Sequence, residues 1–117
     1  MTEAQHQVTL IRWTQQSEIR QRFPELALLY HIPNGGKRDV IEAKHLKAQG
    51  VKSGVPDLHL PVSRKGYNGL YIEMKTDIGR PTENQKWWIE KLNIQGNYAV
   101  VCHSWEEARK CLIWYLT

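Results

Sequence analysis

The chain has 117 residues and a net charge of +4, with 41% hydrophobic and 24% charged residues. That balance excludes an intrinsically disordered polymer and describes a globular domain large enough to bury a core. No run approaches the roughly 20 apolar residues of a membrane-spanning helix, and residues 1–6 lack a signal-peptide pattern, so one cytoplasmic domain over 1–117 is expected, with no membrane partner.

Thr2 and Gln5 form a capping-box pair, and residues 3 to about 22 contain neither Gly nor Pro, which predicts one helix ended by Pro24. Residues 26–32 are a short apolar run and read as a buried strand. Pro33-Asn34-Gly35-Gly36 marks a turn, and Asp39 caps a short helix closed by Gly50. Residues 55–62 and 69–76 read as two strands around the polar loop 63–68. Thr82 and Gln85 make a second capping box for a helix that stops at Gly96. Residues 98–102 form a strand, and Ser104 with Glu107 starts a last helix. Ala108, Cys111, Leu112 and Tyr115 place its apolar stripe on the sheet. The order is α/β, with one mixed sheet covered by helices.

Cys102 and Cys111 are too few for a disulfide scaffold and lack zinc spacing, so both read as core residues. Residues 37–91 hold 11 Lys/Arg against 7 Asp/Glu, while the rest of the chain is balanced. A basic excess confined to one stretch suits a polyanionic partner, although a solvated basic surface has the same composition.

The chemistry concentrates in the two central strands. Alternation sets Leu70, Ile72 and Met74 on one face and Tyr71, Glu73 and Lys75 on the other. Likewise Leu58, Leu60 and Val62 oppose Asp57 and His59. A hairpin folded symmetrically about Lys65 pairs residues whose numbers sum to 130 and sets Asp57 opposite Glu73, whereas a two-residue shift sets Asp57 beside Lys75 on the same face. Two carboxylates that close repel, and a divalent cation relieves the repulsion. Oxygen donors suit Mg²⁺ or Mn²⁺, which can polarise a phosphoryl oxygen and acidify a bound water. Lys75 is placed to contact the scissile phosphate or orient the attacking water. The plainer alternative is a cross-strand salt-bridge cluster on a solvated face.

Gly54-Val55-Pro56-Asp57, followed by Glu73-Met74-Lys75, resembles the PD-(D/E)XK nuclease motif. Asn34-Gly35-Gly36-Lys37-Arg38, Leu46-Lys47-Ala48-Gln49-Gly50, Ser53 to Leu58, Tyr71 to Lys75, Gln85 and the strand after Gly96 extend the likeness. Together they resemble the VRR-NUC (virus-type replication–repair nuclease) family over nearly the whole chain. The resemblance implies a restriction-endonuclease-like fold with an αβββαβ core. It implies Asp57, Glu73, the Met74 carbonyl and Glu3 as metal ligands, Lys75 as catalytic lysine, and Gln85 beside the site. Glu3 also reads as a first-turn acid complementing its helix dipole, and Gln85 as the capping-box residue.

Short members of that family look like phage or bacterial Holliday-junction resolvases. The expected activity is therefore a metal-dependent, structure-specific endonuclease acting in a bacterial or phage-infected cell, in DNA repair. A non-catalytic nucleic-acid-binding module and a sequence-reading restriction-type enzyme are the competing readings. Lys37, Arg38, Lys52, Ser53 and Arg80 are the favoured substrate contacts, with Arg64 and Lys65 further phosphate candidates. His59 and Tyr71 share the site face and are candidates to touch substrate. Trp88, Ile89 and Leu92 form one face of their helix and are expected to be buried. Trp87 and Ile94 form another, the candidate interface of a homodimer that would supply two cuts to one junction.

Overall fold

The computed structural model describes residues 1–33 and 39–117. In chain order these form α1 (Glu3–Thr14), α2 (Ser17–Arg22), a 3₁₀ turn (Pro24–Leu28), β1 (Tyr30–His31), α3 (Val40–Ala48), β2 (Leu58–Leu60), β3 (Leu70–Met74), α4 (Glu83–Ile94), β4 (Tyr98–Cys102) and α5 (Trp105–Leu116). The sheet runs β1-β2-β3-β4. Its first two pairings are antiparallel, and β3 and β4 are parallel. This is the expected α/β, αβββαβ arrangement.

Of the two even registers, the hairpin takes the symmetric one, because Leu58 faces Ile72, His59 faces Tyr71 and Leu60 faces Leu70. Its tip is a two-residue turn in which Lys65 and Gly66 take φ of 54° and 84°, and the Tyr67 N–H donates to the Arg64 carbonyl. Positive φ at both central positions matches the right-handed twist of the strands it joins. Leu58, Leu60, Leu70, Ile72 and Met74 bury one face of the sheet against Leu10 and Trp13 of α1 and Ala108, Leu112 and Tyr115 of α5. The Tyr115 hydroxyl donates to the Val62 carbonyl at 2.6 Å, tying α5 to the end of β2. Cys102 is buried as expected, and Cys111 is only half-buried beside the core.

The four caps read from the sequence are all present. Thr2 and Thr82 close full capping boxes, while Asp39 and Ser104 accept from the N–H groups of Glu42 and Glu107. Each cap satisfies an N–H left without a partner at a helix start.

Three expectations fail at element ends. The first helix breaks after Thr14, where Gln16 is extended with ψ 136°. There the Thr14 hydroxyl back-bonds to Ile11 and Arg20 Nε takes the Thr14 carbonyl, removing acceptors the helix would need. The strand expected over 26–32 shrinks to Tyr30–His31, both exposed. Pro24 instead starts a 3₁₀ turn that buries Leu26 and leaves Leu28 outside. β2 spans only three residues because Pro56 and Pro61 on either side have no N–H for the ladder. On α4, Trp88, Ile89 and Leu92 are half-buried, and the helix has no fully buried residue.

Candidate active site

One rung beyond Leu58–Ile72, the register sets Asp57 opposite Glu73. Asp57 reaches across the hairpin, and its Oδ2 accepts the Met74 N–H at 2.8 Å. Its carbonyl accepts the Ile32 N–H at 2.7 Å and bonds His31 Nδ1 at 2.8 Å. The edge strand thus clamps the backbone at Asp57.

Glu73 is 2% exposed and faces α4, which covers the side of the sheet opposite the core. Gln85 Nε2 donates to Glu73 Oε2 at 3.2 Å, while Gln85 Oε1 accepts the Thr82 N–H at 2.8 Å. The capping and site roles of Gln85 therefore coexist in one side chain. Lys75 is 7% exposed. Its Nζ lies 3.5 Å from Glu73 Oε2 and 3.9 Å from Glu3 Oε1. Glu3, Asp57, Glu73, Lys75 and Gln85 are thereby joined from four separate parts of the chain.

Burial, then the neighbouring Asp57 carboxylate, pushes the Glu73 carboxyl up to about 8, and the Lys75 ammonium pulls only partly the other way. A cleft of about 370 Å³ opens beside the group, lined by Glu3, Gln7, His31, Asp57 and Met74 among others. The Met74 side chain lies in the core, and its N–H is the group that holds Asp57. Among the described residues, no three His, Cys, Asp or Glu side chains form a metal cage on their own.

The loop before Asp57 is keyed to the start of α4. Asn84 Nδ2 donates to Ser53 Oγ at 3.0 Å, and Trp88 Nε1 donates to the Ser53 carbonyl at 3.1 Å. Gly54 takes φ +90°, and a Cβ there would stand 2.8 Å from the Asn84 backbone carbon and Cβ. Ser53, expected at the substrate, is thus also a loop anchor. Lys52 and Arg80 are exposed in the segments preceding Asp57 and following Lys75. Lys37 and Arg38 lie outside the described residues. Arg64 and Lys65 are at the hairpin tip, the far end of the strands from Asp57, where Arg64 pairs with Glu25 at 2.7 Å and Lys65 covers the Trp114 ring. That end of the hairpin is not part of the site.

Sequence reasoning missed His31, Asn84 and Trp88. His31 follows only from the β1–β2 register, and the other two only from the packing of the 51–56 loop, neither of which leaves a local pattern.

The VRR-NUC domain matches residues 1–106, and the chain belongs to that family of nucleases. A solved structure described as a VRR_NUC domain protein superposes with a TM-score of 0.83 at 30% identity, over 99% of this chain and 88% of that one. No curated protein matches the sequence. Among the described residues, no helix is long and apolar enough to cross a membrane.

Proposed function

We propose that the protein is a Mg²⁺- or Mn²⁺-dependent DNA endonuclease that hydrolyses phosphodiester bonds in branched DNA, with four-way junctions as favoured substrate. The observation that carries this reading is the convergence of Asp57 and the buried Glu73 at one end of the hairpin, with Lys75 and Gln85 against the Glu73 carboxyl. A decorative surface salt bridge would have no such buried carboxyl.

The donor set fits the metal. Mg²⁺ keeps several waters and takes one or two carboxylates plus substrate phosphate, so Asp57 and Glu73 with the Met74 carbonyl suffice, and Glu3 is close enough to Lys75 to join through water. Bound there, the cation would supply Lewis-acid activation of the scissile phosphate and an acidified water. Gln85 fixes the Glu73 carboxylate by its hydrogen bond. Lys75, held between Glu73 and Glu3, offers its ammonium to a non-bridging phosphate oxygen or to the attacking water. Exposed Lys52 and Arg80, with Lys37 and Arg38, would contact flanking phosphates irrespective of sequence.

A homodimer is the proposed working form, since a four-way junction needs two matched incisions and each chain has one such site. The test is incubation with labelled four-way junction, flap, duplex and single-stranded DNA, each with Mg²⁺, Mn²⁺ or EDTA. Paired, symmetric cuts in the junction that vanish in EDTA are expected. Absence of cutting with either metal, or cutting undiminished by EDTA, overturns the reading.

A further inference from the structure

Three rings cross the sheet two rungs from the carboxylates. Tyr30, His59 and Tyr71 lie directly opposite one another on β1, β2 and β3, and alternation sets His59 and Tyr71 on the face of Asp57 and Glu73. His59 stacks flat on Tyr71, with centroids 4.1 Å apart and planes within 6°. Tyr30 meets His59 edge-on at 5.3 Å and 69°, and its hydroxyl shares a 2.7 Å hydrogen bond with His59 Nδ1.

The row opens outward. Tyr71 lies opposite buried Ala99, whose backbone is held by Asn93 of α4. Tyr71 and His59 are half-buried, and Tyr30, at the β1 edge, is 49% exposed. Cross-strand aromatic pairs do stabilise sheets, but a two-residue edge strand gains little from a large ring left half in water. Tethering that ring by its hydroxyl fixes its orientation instead. Two residues along a strand cover roughly 7 Å, which places the rings within a nucleotide's reach of a phosphate held at Asp57 and Glu73.

We infer that Tyr30, backed by His59 and Tyr71, is a stacking subsite for an unstacked nucleobase flanking the scissile phosphate. The inference rests on the nuclease reading and names how the substrate class is recognised. Every base has a π face and stacks on an aromatic ring whatever its identity. In continuous duplex both faces are covered by neighbouring pairs, whereas at a branch point a face is free. The subsite thus favours branched DNA without reading sequence.

A cycle between protein and DNA tests it. Cut positions are mapped on a four-way junction with Mg²⁺, and abasic nucleotides are placed in turn on either side of the cut. Binding is measured in EDTA for wild type, Tyr30→Phe and Tyr30→Ala. One abasic position is expected to weaken wild type and Tyr30→Phe by roughly 5- to 150-fold and to leave Tyr30→Ala unchanged. Tyr30→Ala should raise KM on the intact junction and leave kcat near wild type. Equal abasic losses in wild type and Tyr30→Ala, or none in either, overturn the subsite while junction cutting by wild type keeps the nuclease reading. A wild type that cuts nothing removes the nuclease reading, and the stacking inference with it.

Discussion

Gln85 donates from Nε2 to the buried Glu73 carboxylate while its Oε1 accepts the N–H of Thr82, so the first turn of α4 and the orientation of Glu73 are set by one side chain. Gln85→Ala should cost about 1 kcal/mol through the cap and lower activity roughly 10- to 100-fold, the usual effect of losing a partner that orients a metal ligand. Gln85→Glu preserves the capping box, but once ionised it cannot donate to Glu73. Thermal melts should show Gln85→Glu close to wild type in acid, while single-turnover cleavage shows it as impaired as Gln85→Ala.

Asp57→Asn and Glu73→Gln should reduce cleavage to background while far-UV circular dichroism and junction binding persist. Binding should tighten slightly, because a carboxylate facing phosphate has been removed. Lys75→Ala should lose turnover and keep Mg²⁺ binding by calorimetry. Wild-type cutting by either purified carboxylate variant excludes the assignment of metal ligands.

The raised Glu73 carboxyl makes two pH dependences. Its native value of about 8 lies above the ordinary 4.5, so between them the metal-free native state holds a proton that the unfolded chain has released. This contribution to stability is full below about pH 4.5 and is lost as pH rises through about 8. Melts in EDTA should fall across that window, and Glu73→Gln should flatten the fall. Metal needs the ionised carboxylate, so its affinity should climb up to about tenfold per pH unit and level off near pH 8. Titration calorimetry in two buffers of different ionisation enthalpy should count close to one proton released per metal at neutral pH.

Trp87 and Ile94, seven residues apart on α4, are 53% and 64% exposed. If they form the dimer face, light scattering at micromolar concentration should give a wild-type dimer and a Trp87→Glu monomer. The monomer should nick one junction arm without the paired second cut. A stable Trp87→Glu dimer moves the interface elsewhere, and a wild type monomeric on junction DNA removes the dimer.

Where physics is local, the sequence was sufficient. Alternation and a two-residue turn bring Leu58 opposite Ile72, and that register alone carries Asp57 to Glu73. The caps at Thr2, Asp39, Thr82 and Ser104 are likewise one-turn motifs. Misreadings arose where distant groups compete with local preference. Arg20 takes the Thr14 carbonyl and breaks the first helix. Glu25 pairs with Arg64, 39 residues away, at the hairpin tip. His31 reaches Asp57 only because a two-residue edge strand pairs there, a fact no periodicity carries.

Gly54 presses on the Asn84 backbone with no room for a methyl group, so the separation between the segment bearing Asp57 and the helix bearing Gln85 is fixed by a side chain that is not there. A residue with no functional group is accordingly one of the least replaceable near the site. The neighbours Lys52 and Arg80 are exposed, and their replacement leaves that seam closed.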